Sequence, residues 1–164
     1  MTPTLLILAI AVPAAAGILA LLVPRRTPWA SAAIAVLGTA FELGLAAYLF
    51  PHDFAFAWAW MGFGAEFALR LSRLSAFILL GIGAFSFLVT VYSAVSMAKE
   101  PSTRRFHAWV LLTVALSAGA VLADNLILLL VFGESLLVTQ FAMIAAGRTK
   151  PYATSGHRTP PGPA

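Results

Sequence analysis

The sequence predicts an all-α membrane fold of five transmembrane helices. Three observations carry this: an apolar composition, apolar runs of bilayer length, and a lopsided distribution of Lys and Arg. About 100 of the 164 residues are apolar (61%) and only 10% are charged, with a mean hydropathy of +0.94. Soluble domains hold roughly 45–50% apolar and about 25% charged residues. This chain has too little polar surface to cover a core of that size, which excludes a typical soluble enzyme and a disordered regulator. It reads as an integral membrane protein.

A hydrocarbon layer of about 30 Å takes roughly 20 helical residues at about 1.5 Å each. Five runs qualify: Leu5–Val23, Trp29–Phe50, Leu74–Met97, Phe106–Ala123 and Asn125–Ala146. Their apolar residues are continuous and do not alternate, so β-strands of a membrane barrel are a poor alternative. Proline marks the boundaries. Pro24 closes the first run, Pro28 opens the second, Pro51 ends it, and Pro101 lies in the third connection. Asp124 and Asn125, which favour turns and avoid hydrocarbon, separate runs four and five. Pro13 falls within run one, where neighbouring helices tolerate a kink. That run resembles a signal peptide, with Ala14–Ala16 as a cleavage site. No positive charge precedes it and its apolar sequence continues to Val23, so it is expected to be retained.

Charge sets the expected orientation. Arg25, Arg26, Lys99, Arg104, Arg105, Arg148, Lys150 and Arg158 follow the odd-numbered runs, while only Arg70 and Arg73 lie on the opposite side. By the positive-inside rule the N-terminus is outside and the C-terminus cytoplasmic. Nucleic acid is not an expected partner, because the net charge of +4 is scattered between apolar runs. The partners expected are the lipid bilayer and other membrane subunits.

The longest connection, Pro51–Arg73, holds Phe54, Phe56, Trp58, Trp60, Phe63 and Phe67. Alternation from Phe54 to Trp60 predicts a short strand or hairpin, with Gly62 and Gly64 at the turn. Its aromatics suit a belt at the outer interface better than a ligand cage. Residues 1–147 thus form a five-helix membrane domain. The Pro-rich segment 148–164 has no apolar run and is expected to be disordered.

Two acids fall within the apolar runs. Glu134 is nine residues past Asn125, about 14 Å along a helix, which places it near the midplane. An ionised carboxylate there costs roughly 2.5–3.5 kcal/mol even on the gentler insertion scale. It therefore calls for protonation, a cationic partner or a hydrated cavity, each of which suits a proton relay. A protonated glutamate that merely packs between helices is the alternative. Glu42 is the weaker relay candidate, since a small shift of its helix would bring it toward the interface. Gln140, six residues beyond Glu134, points from another face and reads as a hydrogen-bonding contact between helices.

Other chemistry is not expected in the chain itself. There is no cysteine, so no thiolate metal site or cysteine-ligated cluster forms. His52, His107 and His157 lie in a loop, at a helix start and in the tail, which argues against a bis-histidine haem site or any other metal site. No phosphate loop, dinucleotide fingerprint or nucleophile elbow is present. No residue is expected to be catalytic and none to bind a cofactor.

Three segments carry a family likeness: Leu69–Ala76 leading to Val91-Tyr92-Ser93; Val121-Leu-Ala-Asp-Asn-Leu126; and Phe132-Gly-Glu134 followed by Leu136–Gly147. In this order they resemble the N-terminal part of the antiporter-like subunits of respiratory complex I. That superfamily also includes Mrp-type cation/proton antiporter subunits and membrane subunits of group-4, energy-converting hydrogenases. The stretch Gly133–Thr139 looks closest to the hydrogenase- and formate-lyase-associated branch. The resemblance implies an integral protein of a bacterial or archaeal cytoplasmic membrane and a role in proton or cation translocation. It also implies that Glu134 is the relay carboxylate and that Asp124 and Asn125 are structural turn residues; Glu42 has no counterpart in the resemblance and stays an accessory candidate on its depth alone. Quinone, flavin and iron–sulfur clusters would belong to partner subunits.

The chain departs from the family in having Ser72-Arg73 where Asp-Gly is frequent and Gly133 where Trp is common. It also lacks the later helices with buried lysines. The change of composition near Gly156 favours a truncated or frameshifted product over a natural short subunit completed by another chain. The rival functions are a structural or assembly role in a complex, a non-redox antiporter or inorganic-carbon transporter subunit, and a redox membrane anchor.

Overall fold

A computed structural model describes residues 2–24, 27–61, 65–97 and 102–147. Five helices form in chain order: α1 (Thr2–Leu22), α2 (Pro28–Leu49), α3 (Arg73–Ser96), α4 (Thr103–Leu122) and α5 (Leu126–Gly147). All five are long and apolar enough to cross a membrane. Between α2 and α3 lies an antiparallel hairpin of β1 (Phe54–Met61) and β2 (Ala65–Leu71). The chain is an integral membrane protein.

The ends follow local chemistry. Pro28, which lacks an amide hydrogen, sits in the first turn of α2 where that hydrogen would be unpaired anyway. Ser72 caps α3 by accepting from the Ser75 amide at 3.2 Å. Asn125 does the same for α5, its Oδ1 accepting from the Leu128 amide at 2.7 Å. The fourth helix starts at Thr103, three residues before the apolar run does. Arg104 is accommodated there because its guanidinium donates to the Val23 carbonyl at 2.7 Å, at the end of α1.

Helix α4 is central and packs against the other four. Its buried face is correspondingly wide: Thr103, His107, Ala108, Leu111, Val114, Ala115, Ala118, Gly119 and Leu122. Helix α5 packs on α4 and on the edge of β2. Its large side chains Leu126, Ile127, Leu130, Leu137, Val138, Phe141 and Ile144 are all exposed.

The hairpin closes one end of the bundle. Phe54 pairs with Leu71 and Phe56 with Leu69, and these residues pack on a core cluster that includes Leu6, Leu49, Leu79 and Leu122. The expected aromatic belt is therefore divided. Period-two alternation turns Phe54 and Phe56 onto the bundle, whereas Trp58, farther along the hairpin, is 68% exposed. Gly62 and Gly64, expected at the turn, lie outside the described residues, as do 148–164, His157 and most of the basic side chains that set the expected orientation. β2 also fixes the turn between α4 and α5. The Asp124 amide donates to the Ala68 carbonyl at 2.9 Å, and Asn125 donates its side-chain amide to the Glu66 carbonyl. The ion pair of Arg70 with Asp124 is long, at 3.9 Å, and exposed.

Candidate functional site

Of the two intramembrane acids, Glu134 lies eight residues into α5, about 12 Å along its axis. Its side chain is exposed, on a side of the helix that no described element of the chain covers. A methyl group at neighbouring Gly133 would meet nothing within 4 Å. Gln140 is exposed as well and bridges no helices among the described residues. Hydrogen bonds of the nearby hydroxyls stay within α5: Ser135 donates to the Val131 carbonyl at 2.7 Å and Thr139 to the Ser135 carbonyl at 2.8 Å.

Glu42 has the opposite environment. It is fully buried (0% exposed) on the face of α2 that includes Ser31, Ala35, Thr39, Ala46 and Leu49. Neither of its carboxylate oxygens has a hydrogen-bond partner. The partner helix α3 presents Ala76, Leu79, Gly83, Ser86, Thr90 and Ser93 to the interior, alternating three- and four-residue steps. That is the repeat of a left-handed helix pair with a narrow seam. Gly83 lets the backbones approach closely: a methyl group there would sit 2.9 Å from the Leu43 Cα.

Hydroxyls line this seam. Thr39 and Thr90 are hydrogen-bonded across it at 2.8 Å. Toward the end of α3, the Ser93 hydroxyl lies 3.0 Å from His107 Nε2 and 3.0 Å from the Thr90 carbonyl, to which it donates. With its hydrogen directed to that carbonyl, Ser93 accepts from a protonated Nε2. Nδ1 of the neutral ring is then an acceptor. It is buried and has no partner. The structure therefore links His107 to Ser93 and Thr39 to Thr90, with buried Glu42 one turn from Thr39 on the same face of α2. Glu134 is not part of it.

His107 and the hydroxyls were not candidates in the sequence. Their signal was the Gly83–Ser86–Thr90–Ser93 spacing, a small-and-polar seam that membrane helices use for close packing. His52 lies outside the bundle interior, with Nδ1 3.1 Å from the Tyr48 carbonyl and its ring between Tyr48 and Phe54. Among the described residues no group of three or more His, Cys, Asp or Glu could hold a metal ion.

Comparison with known proteins supplies relatives of the chain but no match of the family model to either acid. Residues 58–107, from the hairpin through α3 to the start of α4, match the family model described as NADH-ubiquinone oxidoreductase (complex I), chain 5 N-terminus. The chain is similar to membrane subunits of a quinone oxidoreductase and of cation/proton antiporters. It is 31% identical over 105 residues to NADH-quinone oxidoreductase subunit L of Mycobacterium tuberculosis, covering 63% of this chain and 17% of that protein. The A1 subunit of a Na(+)/H(+) antiporter from Staphylococcus haemolyticus is 34% identical over 87 residues, 53% of this chain and 11% of its own length. The A/B subunit of a probable K(+)/H(+) antiporter from Rhizobium meliloti is 34% identical over 95 residues, 58% of this chain and 10% of its own. The chain thus spans less than a fifth of the length of each of these relatives. The family-model match ends before Glu134 and begins after Glu42.

Proposed function

We propose that this chain is a proton- or cation-translocating membrane subunit of a complex I or energy-converting hydrogenase type of assembly in a prokaryotic cytoplasmic membrane. Electron transfer, with its quinone, flavin or iron–sulfur groups, would take place on partner subunits. Glu134 is the translocating carboxylate in this reading, and Asp124 and Asn125 hold the turn that sets α5 at its depth. The N-terminus is outside.

The observation that carries the proposal is the placement of Glu134. It is an acid mid-way along a membrane-length helix, on a face that this chain leaves open. Against lipid alone, an ionised carboxylate at that depth costs roughly 2.5–3.5 kcal/mol or more. A hydrated or cation-bearing surface of a neighbouring membrane protein removes that cost and gives the proton somewhere to go. Homology to the quinone oxidoreductase and antiporter relatives supports the same reading.

The test is Glu134→Gln in the assembled complex. Transport lost with assembly intact supports the relay; unchanged transport refutes it and leaves a structural role. A second reading, a non-redox cation/proton antiporter, is favoured by the relatives of that kind at comparable identity. Vesicles separate the two readings. Proton movement driven by an electron donor supports the redox assembly, and movement driven only by a Na(+) or K(+) gradient supports the antiporter.

A further inference from the structure

Among the described residues, three buried side-chain atoms lack any hydrogen-bond partner: both carboxylate oxygens of Glu42 and Nδ1 of His107. Buried polar groups are paired in the great majority of cases, and an unpaired one carries the full cost of its lost hydration. The three atoms belong to buried residues of α2 and α4, and hydrogen-bonded hydroxyls of α2 and α3 lie along the helices between those residues. Thr39 is one turn from Glu42 on α2 and is bonded to Thr90 across the seam. Ser93 is one turn from Thr90 on α3 and is bonded to His107. Glu42, Thr39, Thr90, Ser93 and His107 all have 3% exposure or less.

We propose that Glu42 is a second proton-binding site, loaded through His107 along this hydroxyl line from the end of the bundle where α3 ends and α4 begins. His107 lies one turn from the start of α4, and Ser93 one turn from the end of α3. A proton delivered by a water that enters beside His107 adds to its buried Nδ1, and the Nε2 proton passes to the Ser93 oxygen as the Ser93 hydroxyl hydrogen moves on. The Thr90–Thr39 pair carries the proton across the seam. It ends on a Glu42 oxygen, converting carboxylate to carboxylic acid. One positive charge moves and no electron is transferred. The two remaining gaps, Ser93 to Thr90 and Thr39 to Glu42, are each a single helical turn, about 5–6 Å between Cβ atoms. A single bridging water in each gap would complete the line.

Among the described residues, no other charge occupies this interior. Helix α1 has no ionisable side chain. On α2, Tyr48 is exposed; on α3, Arg73 and Tyr92 are exposed; on α4, Arg105 is exposed and Arg104 is turned to the Val23 carbonyl. Glu42 and His107 are thus the two titratable groups described within the packed helices. The line is distinct from Glu134, which faces away from it on α5. The inference deepens the translocation reading and rests on it only for the use made of the proton.

Infrared difference spectroscopy of the full chain in lipid membranes, titrated with acid and base, tests binding without needing transport. The expected result is a protonated-carboxyl band that titrates with pH, persists in Glu134→Gln and is absent in Glu42→Gln. Thr39→Val and His107→Phe should retain the band and slow its deuterium exchange at least tenfold. A band that does not titrate, or that survives in Glu42→Gln, overturns the site. Exchange at the wild-type rate in both line variants overturns the route. Should Glu42→Gln fail to fold, carbon-13 labelling of glutamate in a Glu66→Gln, Glu100→Gln, Glu134→Gln background, where Glu42 is the one glutamate left, reports the same band. Transport that survives in Glu134→Gln would instead overturn the translocation reading, while the Glu42 titration stands or falls separately.

Discussion

Helices α2 and α5 each carry one acid in mid-course, but their surroundings differ completely. On α2 the acid lies in a seam closed by α3 and α4, where Gly83 and Leu43 meet at backbone distance. On α5 the acid lies away from the single helix that α5 packs on, and the large apolar residues around it face outward. The same side chain has thus been placed in two ways. Glu42 is enclosed by its own chain. Glu134 is left exposed by the described residues of its chain. A buried acid takes its chemistry from the residues that surround it, whereas an exposed one takes it from whatever docks there.

The comparison can be broken most forcefully at Glu134. In the assembled complex, Glu134→Gln should reduce proton transport at least tenfold while leaving thermal stability of the isolated chain within about 0.5 kcal/mol, as expected for an exposed position. Equal losses of transport and stability would mean that Glu134 is a packing residue after all.

Glycine substitution probes the two regions by packing alone. Gly83→Ala forces a methyl group against the Leu43 backbone and should destabilise the bundle by about 1–3 kcal/mol, the usual effect of overpacking. Gly133→Ala, with open space around it, should be neutral or slightly stabilising. Unfolding in mild detergent compares them directly. Gly119→Ala should fall between the two, because the atoms it meets belong to the Phe132 ring rather than to a backbone.

The attachment of α5 gives a finer test. Asn125→Ala removes the cap on the Leu128 amide and the tie to the Glu66 carbonyl. A loss of about 1–2 kcal/mol is expected, read as faster amide exchange in the first turn of α5 with α2 and α3 unaffected. The smallest effect belongs to the Arg70–Asp124 pair. At 3.9 Å and with both side chains exposed, its coupling in a double-mutant cycle should not exceed a few tenths of a kcal/mol.

Much of the architecture was legible from local chemistry. Apolar runs, prolines and the Asp124–Asn125 turn located the five helices, and alternation from Phe54 located the hairpin. These features depend on the length of a bilayer and on backbone geometry, which any stretch of sequence carries by itself. The shift of α4 to Thr103 was not legible. It depends on a carbonyl at the far end of α1 receiving the Arg104 guanidinium. Nor was the division of the hairpin aromatics, which depends on where the helix bundle stops beneath them.

The candidate site divides along the same line. The sequence alone determined that two acids lie within membrane-length helices and that their ionisation is costly there, because depth follows from counting residues along a helix. Which acid is enclosed was decided by tertiary packing. Helix α5 has too few neighbours to cover Glu134, whereas α4 has neighbours on every side and seals Glu42 into the seam. His107 entered the site only through that packing. Its position near a helix start marked it as peripheral, but the crossing of α3 and α4 sets its ring against Ser93 and encloses it, a contact between residues 14 positions apart.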